Sequence, residues 1–144
     1  MRRFHGFDHI DTRVSALALV EPFYDRLMPE LGMPRKNHAH VDENGDWHEP
    51  DEARPYNAVE YYEPIVSGGV VCFIGFIEDR AMTPTLTRIA FRVSTAEDLP
   101  RWHEVLTSIG ANKVEWSASA EYPAIFFEDP AGTKLEVVAR RPTP

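Results

Sequence analysis

The chain has 144 residues, a formal net charge of −8 at pH 7 and one cysteine. A chain of this length is expected to form one compact unit with its own hydrophobic core. The acidic balance, without a concentrated basic face, excludes nucleic acid and anionic membranes as expected partners. The lone cysteine excludes an internal disulfide and a Cys-x-x-Cys zinc site. No long apolar stretch suggests a signal peptide or a membrane span, so we expect a cytoplasmic protein.

A strand and then a helix open the chain. The strand is predicted over FDHIDTRV, residues 7–14. The helix is predicted within residues 15–32, where apolar residues recur at four-residue steps from Leu19 to Leu31. Proline is best tolerated in the first helical turn, so we expect the helix proper to begin near Leu19–Glu21, just before Pro22.

Strands separated by turns are predicted for the rest of the first half. Asn44-Gly45 indicates a tight turn, with a strand before it and a long loop after it. Two more strands are expected over residues 57–63 and 70–76, the second rich in β-branched and aromatic residues. Residues 78–85, EDRAMTPT, carry charge and proline and mark the expected internal boundary.

The second half repeats this order of elements. A strand over residues 87–93 precedes a helix over residues 94–110. Three further strands are expected over residues 112–117, 122–129 and 133–140. Both halves therefore run strand, helix, three strands, which is the sequence signature of an internal repeat.

The two halves also align residue by residue. HIDTRV lies over RIAFRV, VEYYEP over IFFEDP, and GGVVCFIG over GTKLEVVA. In this alignment His9 corresponds to Arg88, and Cys72 corresponds to Glu136.

Each module, residues 1–80 and residues 81–144, is expected to supply one helix and a four-stranded sheet. One face of each sheet packs its helix, and the other face needs a cover, which the second module provides. The predicted fold class is α+β, with two βαβββ modules forming an open, partly closed barrel around a cleft. Side chains from the first and last strands of each module would point into that cleft.

These motifs resemble the vicinal oxygen chelate superfamily, which includes glyoxalase I, extradiol dioxygenases and bleomycin-resistance proteins. The most specific pieces are DHIDTRV with PFYDRLMPELG, and IAFRVSTAEDLPRWHEVLTSIGA with FFEDPAGTKLEVV, so the resemblance covers nearly the whole chain. It implies the paired βαβββ fold and a homodimer. In the metal enzymes of the family the cleft holds a divalent ion, which here would be zinc, nickel, manganese or iron.

The resemblance implies a ligand set that this chain carries only in part. His9 matches the histidine of the first strand, and Glu136 matches the glutamate of the final strand, the candidate catalytic carboxylate. Arg88 takes the place of the second histidine, and Cys72, or Phe73 beside it, takes the fourth position. Arginine stays protonated and offers no lone pair, so Arg88 cannot bind a metal. Iron-dependent ring cleavage is therefore not expected, and the case for glyoxalase-type isomerisation is weaker because it also uses a metal ion.

Three interpretations of the site remain open. In the first, Arg88 and Glu136 form an ion pair, no cofactor is needed, and the cleft binds a small organic molecule. In the second, His9 and Glu136 hold a divalent metal in a glyoxalase-like lyase or isomerase. In the third, the chain is a dimeric interaction module without catalysis. The candidate ligand contacts are His9, Arg88, Glu136, Cys72, Tyr62, Phe73 and Trp116.

A separate cluster contains His38, His40 and His48. Alternate residues on a strand share one face, so His38 and His40 could meet the same metal ion. Their polar surroundings in the sequence favour a solvated hairpin instead.

Overall fold

The computed structural model describes residues 7–85 and 87–140. The chain divides into two compact units. The first unit takes the residues up to Leu17 together with Met28–Met82, and the second takes Ala18–Leu27 together with the residues from Thr83 onward. Within the described ranges, no helix is long and apolar enough to cross a membrane.

One sheet forms the centre of the first unit. Its strands are β1 (His9–Val14), β2 (Arg35–Val41), β3 (Trp47–His48), β4 (Ala58–Tyr62) and β5 (Phe73–Glu78). Helix α1 (Leu17–Glu30) follows β1 in the chain, and its middle, Ala18–Leu27, belongs to the second unit. The strand order is β1-β5-β4-β2-β3, with β1 parallel to β5 and the other pairs antiparallel. The first and last strands therefore lie side by side, and the short β3 adds a fifth strand to the four expected.

The second unit has the same arrangement. Its elements are β6 (Arg88–Arg92), a 3-10 helix (Ala96–Asp98), helix α2 (Leu99–Ser108), β7 (Asn112–Trp116), β8 (Ala124–Glu128) and β9 (Lys134–Val138). The strand order is β6-β9-β8-β7, and the first strand is again parallel to the last. The predicted repeat of strand, helix and three strands in an α+β chain is therefore confirmed.

Helix α1 begins earlier than its proline suggested. The helix starts at Leu17, so Pro22 lies beyond the first turn and the predicted start is wrong. The Leu17 amide donates a hydrogen bond to the Glu78 carboxylate at 2.9 Å. This contact satisfies one of the free amides at the helix N-terminus and places a negative charge where the helix dipole favours it.

The buried stripe of α1 also differs from the predicted one. Leu19 is 52% exposed, although it headed the predicted stripe, whereas Phe23 and Leu27 are buried as expected. The buried face of the helix follows spacings of three and four residues, as an α-helix requires. The buried residues of the helix are Leu17, Val20, Phe23, Tyr24, Leu27 and Met28.

The predicted match between Cys72 and Glu136 is wrong by three residues. His9 pairs with Phe73, and Arg88 pairs with Lys134, so Gly75 is the residue that corresponds to Glu136. The connection before β5, residues 63–72, is longer than its counterpart, residues 129–133. The sequence alignment matches the glycines of the two connections with each other. The difference in length between the connections therefore becomes a shift in the alignment of the strands that follow. Correspondingly, β5 begins at Phe73 rather than at residue 70.

Candidate functional site

A row of paired residues crosses the first sheet at Gly75. Asp11 of β1 and Glu60 of β4 are the partners of Gly75 on its two sides, and Asn37 of β2 pairs with Glu60. Side chains of directly paired residues project from the same face of a sheet. A Cβ placed on Gly75 would lie 2.6 Å from Asp11 Oδ1 and 3.8 Å from Glu60 Cγ. Two carboxylates therefore border a position that has no side chain.

Aromatic rings form the next row on the same face. The rings of His9 and Phe73 stack with centroids 4.5 Å apart, and those of Phe73 and Tyr62 stack at 4.6 Å. The guanidinium carbon of Arg35 lies 5.3 Å from the Tyr62 ring centroid and ends the row. Three of the predicted contacts, His9, Tyr62 and Phe73, are thus brought together by strand pairing.

Both rows contribute to a cavity of about 420 Å³ in the first unit. This volume is in the range of sites for small organic molecules. Trp47, Phe73 and Ala39 supply apolar surface to the lining. The ionisable lining residues are the carboxylates Asp11, Glu49 and Glu60 and the imidazoles His9, His38 and His48.

Glu60 is the most buried ionisable group in this lining, with 7% of its surface exposed. Asn37 Nδ2 donates to Glu60 Oε1 at 2.9 Å, and the Tyr62 hydroxyl donates to Oε2, also at 2.9 Å. Burial and the hydrogen bond to Glu60 raise the pKa of Tyr62 to about 12, so this hydroxyl remains a donor. Both partners of the Glu60 carboxylate are therefore neutral.

His9 lies between two carboxylates. Its Nδ1 donates to Asp8 Oδ2 at 2.7 Å, and its Nε2 lies 3.6 Å from Asp11 Oδ2. The hydrogen bond to Asp8 is the main cause that raises the pKa of His9 above 6.5. The negative charge of Asp11 is the next largest of the causes that raise it. The imidazole is thus biased towards its cationic form, which has no lone pair for a metal.

We expect His9 to titrate above 6.5 and Asp8→Asn to move its pKa back towards that value. A raised folded-state pKa stabilises the protein below the unfolded value, and this stability is lost as pH rises through the folded pKa. Proton NMR of the imidazole, followed against pH, measures the midpoint directly. Asp51→Asn, a change in the exposed 51–54 turn, is the control and should leave it unmoved. A wild-type midpoint at or below 6.5 would contradict the pairing.

The three histidines of the predicted cluster have separate partners. His48 Nε2 donates to Asp42 Oδ2 at 2.7 Å, and His40 Nδ1 donates to the Pro55 carbonyl at 2.7 Å. The His38 ring lies 4.2 Å from that of Tyr56. The hydrogen bond from His48, the largest cause, lowers the pKa of Asp42 to about 2. The solvated hairpin is thus held by local contacts.

Arg88 and Glu136 lie in the second unit and do not pair. Among the described residues no ion pair joins them, so the predicted ion pair between Arg88 and Glu136 is absent. Glu136 is buried and accepts a hydrogen bond from the Tyr122 hydroxyl, which raises the pKa of Tyr122. The Arg88 guanidinium carbon lies 4.8 Å from the Phe126 ring centroid. Ala90, not Arg88, is the direct partner of Glu136, and this offset in register carries the guanidinium to the aromatic ring.

Two other predicted ligand contacts, Cys72 and Trp116, do not line the cavity of the first unit. Cys72 is half-buried in the connection before β5, where its amide donates to the Glu63 carboxylate at 2.9 Å. Burial raises the pKa of its thiol, which makes it a poor metal ligand and nucleophile at neutral pH. The Trp116 ring stacks on His103 in the second unit, with centroids 5.3 Å apart.

The residues present do not fit the metal site that the resemblance implies. The position matching Glu136 in the first unit is Gly75, which has no side chain, and Arg88 holds a fixed positive charge. Within residues 7–85 and 87–140, no group of three His, Cys, Asp or Glu side chains is arranged to hold a metal ion. His9 and Glu136 each have hydrogen-bonding partners of their own.

No protein-family model and no curated protein matches this chain. Solved structures match it along nearly its full length. A candidate glyoxalase from Bacillus halodurans is 22% identical, with a TM-score of 0.65 over 94% of this chain and 96% of the other. A glyoxalase/bleomycin resistance protein from Albidiferax ferrireducens T118 is 17% identical, with a TM-score of 0.60 over 94% and 98%.

A mutant of the fosfomycin resistance protein FosX from Listeria monocytogenes is also similar. It was solved with Mn(II) and 1S,2S-dihydroxypropylphosphonic acid, and is 17% identical to this chain. The TM-score is 0.59 over 95% of this chain and 93% of the other. At these identities the similarity establishes a shared fold.

Proposed function

Because this chain has the fold of the vicinal oxygen chelate proteins, we propose that it binds a small organic molecule without a metal ion as anchor. The observation that carries the proposal is the cavity of about 420 Å³ in the first unit. It combines apolar walls with a few polar groups, which is the usual composition of a ligand site. We assign His9 and Phe73 to its wall and Asp11 and Glu60 to its polar contacts.

The proposal is supported by the two residues, Arg88 and Gly75, that occupy positions where the resemblance implies metal ligands. Arg88, a cation, occupies the position that corresponds to the candidate metal ligand His9. Gly75, which has no side chain, occupies the position that corresponds to the carboxylate of Glu136. The gap at Gly75 adds volume to the first sheet, because a side chain there would meet Asp11. At Gly75 the missing carboxylate and the added cavity volume thus occur at the same position. A homodimer in the cytoplasm remains the prediction from the sequence.

A glyoxalase-like lyase or isomerase is the second candidate. It is favoured by the Mn(II) in the FosX structure. By the resemblance, His9 and Glu136 are the residues that would hold such an ion, which would supply Lewis-acid chemistry, and Glu136 would be the catalytic carboxylate. This function requires Glu136→Gln to abolish an activity that a divalent ion stimulates.

Metal analysis separates the two candidates. Protein purified without chelator is expected to contain far less than one equivalent of zinc, nickel, manganese or iron, because no three described ligands converge. Elemental analysis by mass spectrometry measures the content, and Glu136→Gln is the matched variant. Stoichiometric metal in the wild type that disappears in Glu136→Gln would overturn the binding-protein proposal and establish the metal site.

A further inference from the structure

We infer that the cavity of the first unit selects an organic cation, a protonated amine carried on a small apolar body. The inference rests on the proposed function and names the chemical class of its ligand. Three observations support it: the negative charge of the lining, the burial of Glu60 without a cationic partner, and the apolar surface beside the carboxylates.

The lining is negative. Three carboxylates face the cavity, and none of the described residues that line it is a lysine or an arginine. The second unit provides a contrast within the same fold, because a cavity of about 210 Å³ there has three cations, Arg88, Lys113 and Lys134, beside the carboxylates of Glu115 and Glu128. The lining of the first cavity also contains the imidazole of His9, but its two ring nitrogens lie against Asp8 and Asp11, so carboxylates remain in excess. A site with an excess of one sign of charge concentrates ligands of the opposite sign. The first cavity therefore disfavours carboxylates, phosphates and phosphonates.

Glu60 is the carboxylate of the cavity that most needs a cationic partner. It is 7% exposed, and its two hydrogen bonds come from the neutral groups of Asn37 and Tyr62. No ion pair to Glu60 exists among the described residues. A buried carboxylate without a cation is costly, and two bonds leave part of its accepting capacity free. An ammonium group would supply both the missing charge and the missing donors.

Asp11 is a weaker anchor than Glu60. Its side chain is 34% exposed, and its Oδ2 lies 3.6 Å from His9 Nε2, within ion-pair distance of the imidazole. Part of the Asp11 charge is therefore compensated within the protein. Glu60 is left as the carboxylate that gains most from a bound cation.

The apolar body of the ligand has a surface beside these carboxylates. Trp47 is 40% exposed and lines the cavity together with Phe73 and Ala39. Tryptophan faces attract organic cations as well as flat apolar groups. An amine on an aromatic or aliphatic ring therefore matches the lining better than a polyol or a bare metal ion.

A charge series on one apolar body tests this inference. Benzylamine, benzyl alcohol and benzoate differ in charge near pH 7 but little in size. Isothermal titration calorimetry at low salt is expected to give benzylamine about tenfold tighter binding than benzyl alcohol, with benzoate weakest. Equal or tighter binding of benzoate would overturn the inference, as would zinc or manganese binding that displaces benzylamine from wild type.

Glu60→Gln is the decisive variant, because it keeps the size of the side chain and an acceptor for Asn37. We expect it to remove the preference for benzylamine and to leave the binding of benzyl alcohol within about threefold of wild type. Glu115→Gln, at an exposed carboxylate of the second cavity, is the matched control and should change nothing. Asp11→Asn should have the smaller effect of the two cavity variants. An undiminished preference for benzylamine in Glu60→Gln would overturn the inference.

Failure of the inference and failure of the proposed function give different results. If benzyl alcohol or benzoate binds in the cavity and benzylamine does not, the proposed function stands and the cation preference is wrong. If none of the three compounds binds, both are contradicted. Thermal unfolding of each variant shows that a lost preference reflects the site and not the fold.

Discussion

Gly75→Leu is expected to abolish ligand binding in the first cavity, because its side chain would occupy the space between Asp11 and Glu60. Alanine is already enough to disturb this space, since its Cβ would lie 2.6 Å from Asp11 Oδ1. Asp11 can turn its carboxylate away, and Gly75 is not among the positive-φ glycines, so the strand accepts a Cβ. For Gly75→Ala we therefore expect a stability change within about 1 kcal/mol and about tenfold weaker benzylamine binding.

Calorimetry and urea unfolding measure these two quantities separately. Ala90→Leu is a suitable control, because residue 90 lies in the corresponding row of the second sheet beside Glu136. It adds comparable bulk outside the first cavity and should leave benzylamine binding unchanged. Wild-type affinity in Gly75→Leu would show that the ligand lies elsewhere.

Asp129→Ala is expected to cause the largest loss of stability. Asp129 is completely buried, and its Oδ2 accepts a hydrogen bond from the Tyr24 hydroxyl at 2.7 Å. Its Oδ1 accepts from the amides of Ala131 and Thr133, both at 2.8 Å. The carboxylate thus connects α1 to the turn between β8 and β9. Removing it takes the carboxylate acceptor away from three donors, and we expect a loss of about 3–5 kcal/mol in the free energy of unfolding.

Two milder variants separate the parts of this network. Asp129→Asn keeps an acceptor for the two amides, and Tyr24→Phe removes only the hydroxyl contact. Each is expected to cost about 1–2 kcal/mol, clearly less than Asp129→Ala. Urea unfolding followed by circular dichroism measures all three. A loss below about 1 kcal/mol in Asp129→Ala would show that water replaces the carboxylate at this turn.

The repeat was predictable because it is encoded in local patterns. Strand-forming runs, the glycines that end the helices and the matching HIDTRV and RIAFRV segments all act over short distances. Gly32 and Gly110 adopt φ values of 86° and 87° where α1 and α2 end, as expected for helix stops. The start of α1 was missed because the amide of Leu17 is satisfied by Glu78, which is remote in sequence.

The binding site was only partly predictable, because it depends on register. Of the residues that line the cavity, His9 and Phe73 were predicted as ligand contacts, but Asp11 and Glu60 were not. The predicted Tyr62 contributes through its hydrogen bond to Glu60. A strand shows which residues share a face, whereas the neighbours across a sheet are fixed by the connections between strands. The long connection before β5 shifted the alignment and concealed Gly75 as the counterpart of Glu136. A glutamate inside the apolar run NAVEYYE was the available signal for Glu60.

The most direct test of the account is an amide NMR titration of the wild-type protein with benzylamine. The repeat supplies an internal reference, because Asp11, Gly75 and Glu60 occupy the positions that Ala90, Glu136 and Phe126 occupy in the second sheet. We predict saturable shifts at the first three amides and none at the second three. Shifts confined to the second row, or none in either row, would contradict a ligand site in the first cavity.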